Sequence, residues 1–162
     1  MSRYAENTTV STDRSRSEIE KTVSRYGATN FLYGWDEDNA VVQFKCEDRL
    51  VRFVLPLPDK KDFRLTPKRR YLRSEQDQLK AWEQACRQRW RALALAIKAK
   101  LEAVETGITS FEREFMAHIV LPDGQTVADY MIPQIEQAYL TCEMPKLLPM
   151  LTAGNPQQGA NP

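Results

Sequence analysis

Holding phosphate takes several cations on one accessible surface. This chain gathers cations in its middle. Residues 59–100 hold thirteen Lys and Arg against five Asp and Glu, a balance of +8. Residues 1–58 hold eight against nine, and residues 101–162 two against eight, so the flanks stand at −1 and −6. The overall charge of +1 hides that division. Within the positive segment Arg64, Lys68, Arg69, Arg70 and Arg73 surround Phe63 and Tyr71. Arg presents phosphate with a planar fork of donors, and an aromatic ring presents an unpaired base with a face to stack on. Lys80, Arg87 and Arg91 continue the set at steps of seven and four. The candidate nucleic-acid-binding residues are therefore Arg64, Lys68, Arg69, Arg70, Tyr71, Arg73, Lys80, Arg87 and Arg91, with Tyr71 as the stacking residue. A competing arrangement pairs these cations with the acidic C-terminal third, within the chain or between copies of it.

Other chemistry has less to stand on. The one histidine, His118, falls on or beside an apolar face with Glu114 four residues before it. A catalytic role needs a nucleophile and an orienting group in contact, and the spacing names neither. Glu112 and Glu114 are two apart and diverge on a helix, so they form no carboxylate dyad. Asp36, Glu37 and Asp38 lack the twelve-residue calcium-loop pattern and read as a solvated turn. Cys46, Cys86 and Cys142 are odd in number and widely spaced, which suits reduced, mostly buried thiols rather than a disulfide framework or metal knuckle. No P-loop, GxGxxG, HExxH or GxSxG is present. The expectation is a non-catalytic protein with no cofactor and no metal. A hydrolase acting through His118 and a nearby carboxylate ranks third among the functional readings.

The cations need elements to carry them. From Leu79 to Val104, Leu79, Trp82, Cys86, Trp90, Leu93, Ile97, Leu101 and Val104 recur at steps of three and four. That spacing predicts a long helix over 75–105 with an apolar seam, Trp82 and Trp90 included in the core. Lys80, Arg87, Arg91 and Lys98 form a basic ridge about a quarter turn away. Ser74 is its cap, with Glu75 and Asp77 in the first turn matching the helix dipole. Before it, residues 59–74 form a long basic connector without clear periodicity. Ser17 and Glu20 have capping-box spacing, which predicts a short helix over 17–26 ended by Gly27. Alternation over 31–35, 40–46 and 49–55 predicts three strands joined by turns at Glu37-Asp38-Asn39 and Glu47-Asp48, and stopped by Pro56 and Pro58. Thr109 or Ser110 caps a helix over 111–120. Thr126 starts another, interrupted by Pro133.

With 162 residues and 42% hydrophobic content, the chain is long enough for one domain with a real core. The expected division is a disordered start over 1–14, a single domain over 15–150 and a disordered tail over 151–162. No run of 18 apolar residues exists and the start lacks an apolar leader segment, so a cytoplasmic protein without a membrane partner is expected.

The blocks SRSEIEKTVSRYGATNFLYGW, VRFVLPLPD, WEQACRQRWRALALAIKAKLEAVETGI and FMAHIVLPDGQTVADYMIPQIEQAY cover most of 15–150. In them the chain resembles a family of small proteins encoded by tailed phages and prophages, which implies the host cytoplasm. Its first half is also similar in layout to phage single-strand annealing proteins, which place a helix, an antiparallel meander and a long helix in that order. That likeness of layout implies assembly into an oligomer around a basic groove, lined here by residues 64–91. It implies a role in recombination or replication, with single-stranded DNA as partner.

The combined expectation is an α+β fold: a three-stranded antiparallel meander packed on one long central helix, with a short N-terminal helix and two C-terminal helices. The leading functional reading is a nucleic-acid-binding accessory protein of DNA recombination or replication, of the strand-annealing kind. The alternative is an interaction module that inhibits or recruits a host or phage protein.

Overall fold

The structure, a computed structural model, describes residues 8–66 and 71–143. Lys68, Arg69 and Arg70 of the predicted site, the expected tail over 151–162 and residues 1–7 of the expected disordered start lie outside those residues.

The first helix, α1, runs Thr12–Arg25 and starts earlier than the predicted residue 17. Ser11 caps it, its hydroxyl accepting from the Arg14 N–H at 3.2 Å. Ser17 and Glu20 therefore sit inside the helix and form no capping box. Ser11 satisfies an orphan donor as well as Ser17 would, and the earlier start adds Ser15 to the buried stripe of Ile19 and Val23. Residues 12–14, expected to be disordered, are the first turn. At the other end Gly27 takes φ +82°, and the Ala28 N–H reaches the Val23 carbonyl at 3.0 Å. A left-handed residue at this point is how many helices stop.

Three strands follow in the expected antiparallel meander: β1 Thr29–Trp35, β2 Asn39–Cys46 and β3 Arg49–Pro56, in sheet order β1-β2-β3. Alternation on β2 is complete. Ala40, Val42, Phe44 and Cys46 are buried, and the residues between them are half-buried. The β2–β3 turn places Glu47 and Asp48 at φ 47° and 59°, both left-handed, as a two-residue hairpin turn of type I′ requires. β1 carries an irregularity between Thr29 and Leu32, with Asn30 at φ 56°. Beyond it Tyr33 lies opposite Val42 and Trp35 opposite Ala40. Directly opposed residues share a face, so both rings stand on the core side of the sheet. Trp35 nevertheless remains 68% exposed.

The long helix, α2, spans Glu75–Glu105, as the periodicity predicts. Ser74 caps it by accepting from the Asp77 N–H at 3.1 Å. Cys86, Trp90, Ala94, Ile97 and Leu101 form its buried stripe. Two predicted seam residues fall outside the core. Leu79 is 45% exposed, and Trp82 is half-buried with its indole N–H donating to the Pro58 carbonyl at 2.7 Å. The first turns of α2 run past the edge of the sheet, and the connector covers them instead. Gln78 donates to the Lys60 carbonyl at 2.7 Å, and Arg89 to the Pro56 carbonyl.

α1 and α2 run in the same direction. Thr8 meets Gln84, Glu18 meets Arg91 and Arg25 meets Glu102, so both numbers rise together. The core is the inner face of the sheet closed by these two helices and by Phe111 and Phe115 of a short helix, α3, which spans Phe111–Phe115. Phe115 meets Phe44 and Phe53 edge-on with centroids 6.3 Å apart in both cases.

The predicted helix over 111–120 is shorter than expected. α3 passes into a 3-10 turn at Met116–His118, and Ile119 is extended. Ile119 then bridges Val51, and the Val120 N–H donates to the Leu50 carbonyl at 2.7 Å. β-branched residues favour extended backbone, and the unpaired edge of β3 supplies partners for it. Pro122 and Gly124, the latter at φ +86°, turn the chain back so that Thr126 bridges Val120.

The chain divides into two compact units, one ending at Ala128 and one beginning at Asp129. α4, Val127–Thr141, crosses that division and accommodates Pro133 within the helix. Among the described residues no helix is long and apolar enough to cross a membrane.

Candidate nucleic-acid interface

The described parts of the connector carry more regular structure than its composition suggests. Residues 60–63 form a 3-10 turn capped by Asp59. Beyond it Leu65 bridges Leu72, and the Thr66 N–H donates to the Tyr71 carbonyl at 3.0 Å. Arg73 secures this pairing, one guanidinium nitrogen donating to the carbonyls of Phe63 at 3.1 Å and Leu65 at 3.0 Å. Arg73 is thus a brace for the connector. Arg64 is exposed and makes no ion pair among the described residues, and Tyr71 is 73% exposed. Both remain available to a ligand.

The basic ridge of α2 divides in the same way. Lys80 is exposed and has no ion-pair partner among the described residues. Arg87 donates to Gln84 through Nε at 3.0 Å and Nη2 at 2.7 Å, with Glu83 at 3.8 Å. Arg91 reaches across to Glu18 on α1. The ridge therefore leads toward α1, an element outside the predicted site.

Arg14, Lys21 and Arg25 of α1 line a groove with Arg91, beside Ser17, Glu18 and Thr22. Its volume is about 690 Å³. Four cations face it, and Glu18 is the one acid among the described residues lining it. Arg14 and Lys21 are exposed and make no ion pair among the described residues. Arg25 lies 3.3 Å from Glu102 and 5.0 Å over the ring of Tyr26. Both members of the Arg25–Glu102 pair are largely exposed, so water screens the pair and it constrains Arg25 weakly. Sequence reasoning missed Arg14, Lys21 and Arg25 because the first 58 residues balance to −1. The signal was nevertheless present. Positions 14, 21 and 25 repeat the steps of 80, 87 and 91.

His118 does not sit in this groove. Its ring lies against Phe53 with centroids 4.0 Å apart. Burial, and then the Lys100 ammonium, hold its pKa below the ordinary value of 6.5. Lys100 is itself paired with the Glu114 carboxylate at 3.0 Å, so the carboxylate predicted beside His118 is bound to a lysine. Burial also pushes the Cys46 and Cys86 thiols up, which disfavours their thiolates at neutral pH.

Compared with protein-family models, with curated proteins and with solved structures, the chain matches none.

Proposed function

We propose that the protein binds single-stranded nucleic acid, DNA foremost, as a non-catalytic accessory of recombination or replication. The observation that carries this reading is the α1–α2 groove, where Arg14, Lys21, Arg25 and Arg91 converge and Glu18 is the one acid among the described lining residues. Phosphates neutralise such a row and release counterions as they do so. Arg64, Tyr71 and Lys80 add exposed cations and one exposed ring near the start of α2. Lys68, Arg69 and Arg70 belong to the same proposed set through their place in the sequence. The resemblance to phage proteins, and the layout shared with single-strand annealing proteins, supply the recombination or replication context.

Anisotropy of a labelled single-stranded oligonucleotide at several salt concentrations tests the reading. Affinity is expected to fall steeply with salt, with a log–log slope of about −0.7 per phosphate contacted. Replacing Arg14 and Lys21 together by Ala should flatten that slope by about 1.4. Changing Lys68, Arg69 and Arg70 to Ala, with the bracing Arg73 kept, should weaken binding as well. Equal binding by wild type and both variants, or no binding by wild type, overturns the proposal.

A second reading has one specific observation behind it. Tyr71 and Leu72 are consecutive residues of the connector, and each is 73% exposed. Paired exposed apolar residues are more typical of a protein-contact surface than of a phosphate site. In that case Tyr71 and Leu72 recruit or block a protein partner. Capture of a host protein by wild type, lost on changing both residues to Ser with DNA affinity unchanged, would favour it.

A further inference from the structure

All three tryptophans of the chain line one pocket. They come from three places: Trp35 from the end of β1, and Trp82 and Trp90 from two successive stretches of α2. The pocket has a volume of about 370 Å³ and opens beside the first turns of α1. It is separate from the α1–α2 groove, with which it shares no lining residue. Arg16 organises it. Its guanidinium lies 4.6 Å from the Tyr33 ring centroid, 5.9 Å from that of Trp35 and 5.7 Å from that of Trp90. Asp13 pairs with Arg16 and holds it there. Tyr33 and Trp35 stack beside it, 6.0 Å apart and 13° from parallel. Carboxylates of Asp13 and Glu83 and the guanidinium of Arg87 complete the polar part of the wall.

Trp90 fills the core, and Trp82 anchors the connector, with its indole N–H on the Pro58 carbonyl and Lys60 4.5 Å over its ring, but Trp35 is 68% exposed and no packing role requires it. An exposed indole on a sheet edge is costly to solvate unless something covers it. The chemistry of the walls defines that occupant. Indole faces take a flat, uncharged ring. Asp13 and Glu83 balance Arg16 and Arg87, so the charged groups of the wall cancel, and they suit an uncharged ring with both donors and acceptors on its edge. The volume is at the small end of ligand sites, which suits one base and its sugar.

We infer that the Trp35–Trp82–Trp90 pocket receives a single unpaired nucleobase of the bound strand. This rests on the proposed binding of single-stranded DNA and adds where a base goes. Arg87 in the pocket wall and Arg91 in the groove are one helical turn apart, about 6 Å along the axis. A backbone held on the groove thus passes close enough to the pocket to turn one base into it. Stacking tolerates any base, so the pocket adds affinity with little sequence preference.

The tryptophans report on their own occupancy, because every indole of the full chain lines the pocket. Titrate the protein with a thymidine oligonucleotide and with an abasic strand of equal length, following intrinsic fluorescence and anisotropy. The oligonucleotide should quench the emission and the abasic strand should bind without quenching. Trp35→Ala, at an exposed position that spares the core, should weaken binding of the thymidine strand by about five- to a hundredfold and leave the abasic strand unchanged. Equal quenching by both strands, or equal loss of affinity for both in Trp35→Ala, overturns the inference. Thymidine monophosphate separates this outcome from failure of the groove. A protein that binds no strand but is saturably quenched by the nucleotide, with loss of that quenching in Trp35→Ala, disproves the groove and upholds the pocket. Absence of quenching by both the strand and the nucleotide overturns the pocket.

Discussion

Arg91 on the long helix pairs with Glu18 on the N-terminal helix, and both line the basic groove. The pair ties α1 to α2, and it also occupies one of the four cations that a phosphate would need. The two roles are opposed, so the pair is informative to break.

Removing the carboxylate should strengthen binding. In Glu18→Gln, Arg91 is released toward the groove and an anionic competitor disappears. Affinity for a single-stranded oligonucleotide at low salt is expected to rise by about two- to fivefold, the scale of a partly exposed ion pair. The salt slope should steepen by about 0.7. Stability should fall by about 1 kcal/mol or less, since both side chains retain contact with water. Isothermal binding curves and urea melts on the same variant would show this. Weaker binding in Glu18→Gln would mean that the ion pair positions the groove.

The two ends of the predicted seam should respond differently to truncation. Trp90 is 4% exposed inside the core, so Trp90→Ala should cost about 3–5 kcal/mol in urea denaturation. Leu79 sits on the same periodic stripe but is 45% exposed, so Leu79→Ala should cost under about 1 kcal/mol. Similar losses in the two variants would contradict the observed end of the core at Cys86.

The β2–β3 turn is a place where the chain can be made more stable. Glu47 and Asp48 both adopt left-handed backbone, which residues with a β-carbon resist. Asn and Gly accept that conformation more readily. Replacing Glu47 by Asn and Asp48 by Gly should stabilise the fold by about 1–2 kcal/mol. The exchange loses the Lys45–Asp48 pair, but Asp48 is almost fully exposed and the pair contributes little. A thermal midpoint several degrees higher is the expected result. An unchanged or lower midpoint would show that the Lys45 contact outweighs the backbone.

His118 should make stability depend on pH. Its folded-state pKa is lowered, first by burial and then by Lys100. Above the ordinary value of 6.5 both folded and unfolded forms are neutral and the group has no effect. As pH falls below 6.5 the unfolded chain takes up the proton first, so stability declines until the folded pKa is passed. Urea midpoints at pH 7.5 and 5.5 should therefore differ for wild type and differ less for His118→Gln. The same dependence in both proteins would place its origin in other groups.

Local rules account for a large part of this molecule. The strand alternation at 40–46 and 49–55, the turns between the strands and the 75–105 helix are written in periodicities and caps that act over a few residues. Such signals need no knowledge of distant partners. Local rules also failed in identifiable places. Ser17 and Glu20 had capping-box spacing, but Ser11 served as the cap and lengthened the buried face of α1. Ile119 and Val120 fall within the predicted helix over 111–120, but the open edge of β3 drew them into extended pairing.

The sequence by itself determined the order of elements, the limits of α2 and the concentration of positive charge in the middle of the chain. Tertiary structure alone decided which cations meet. Arg14, Lys21 and Arg25 join Arg91 because α1 packs alongside α2 in the same direction, and no pattern within either helix specifies that pairing. Trp35 joins Trp82 and Trp90 for a related reason. The β1–β2 register sets Trp35 opposite Ala40, on the helix side of the sheet, at a distance in sequence that periodicity cannot span. Burial of the core drives that packing, and the groove and the pocket are formed where its layers meet.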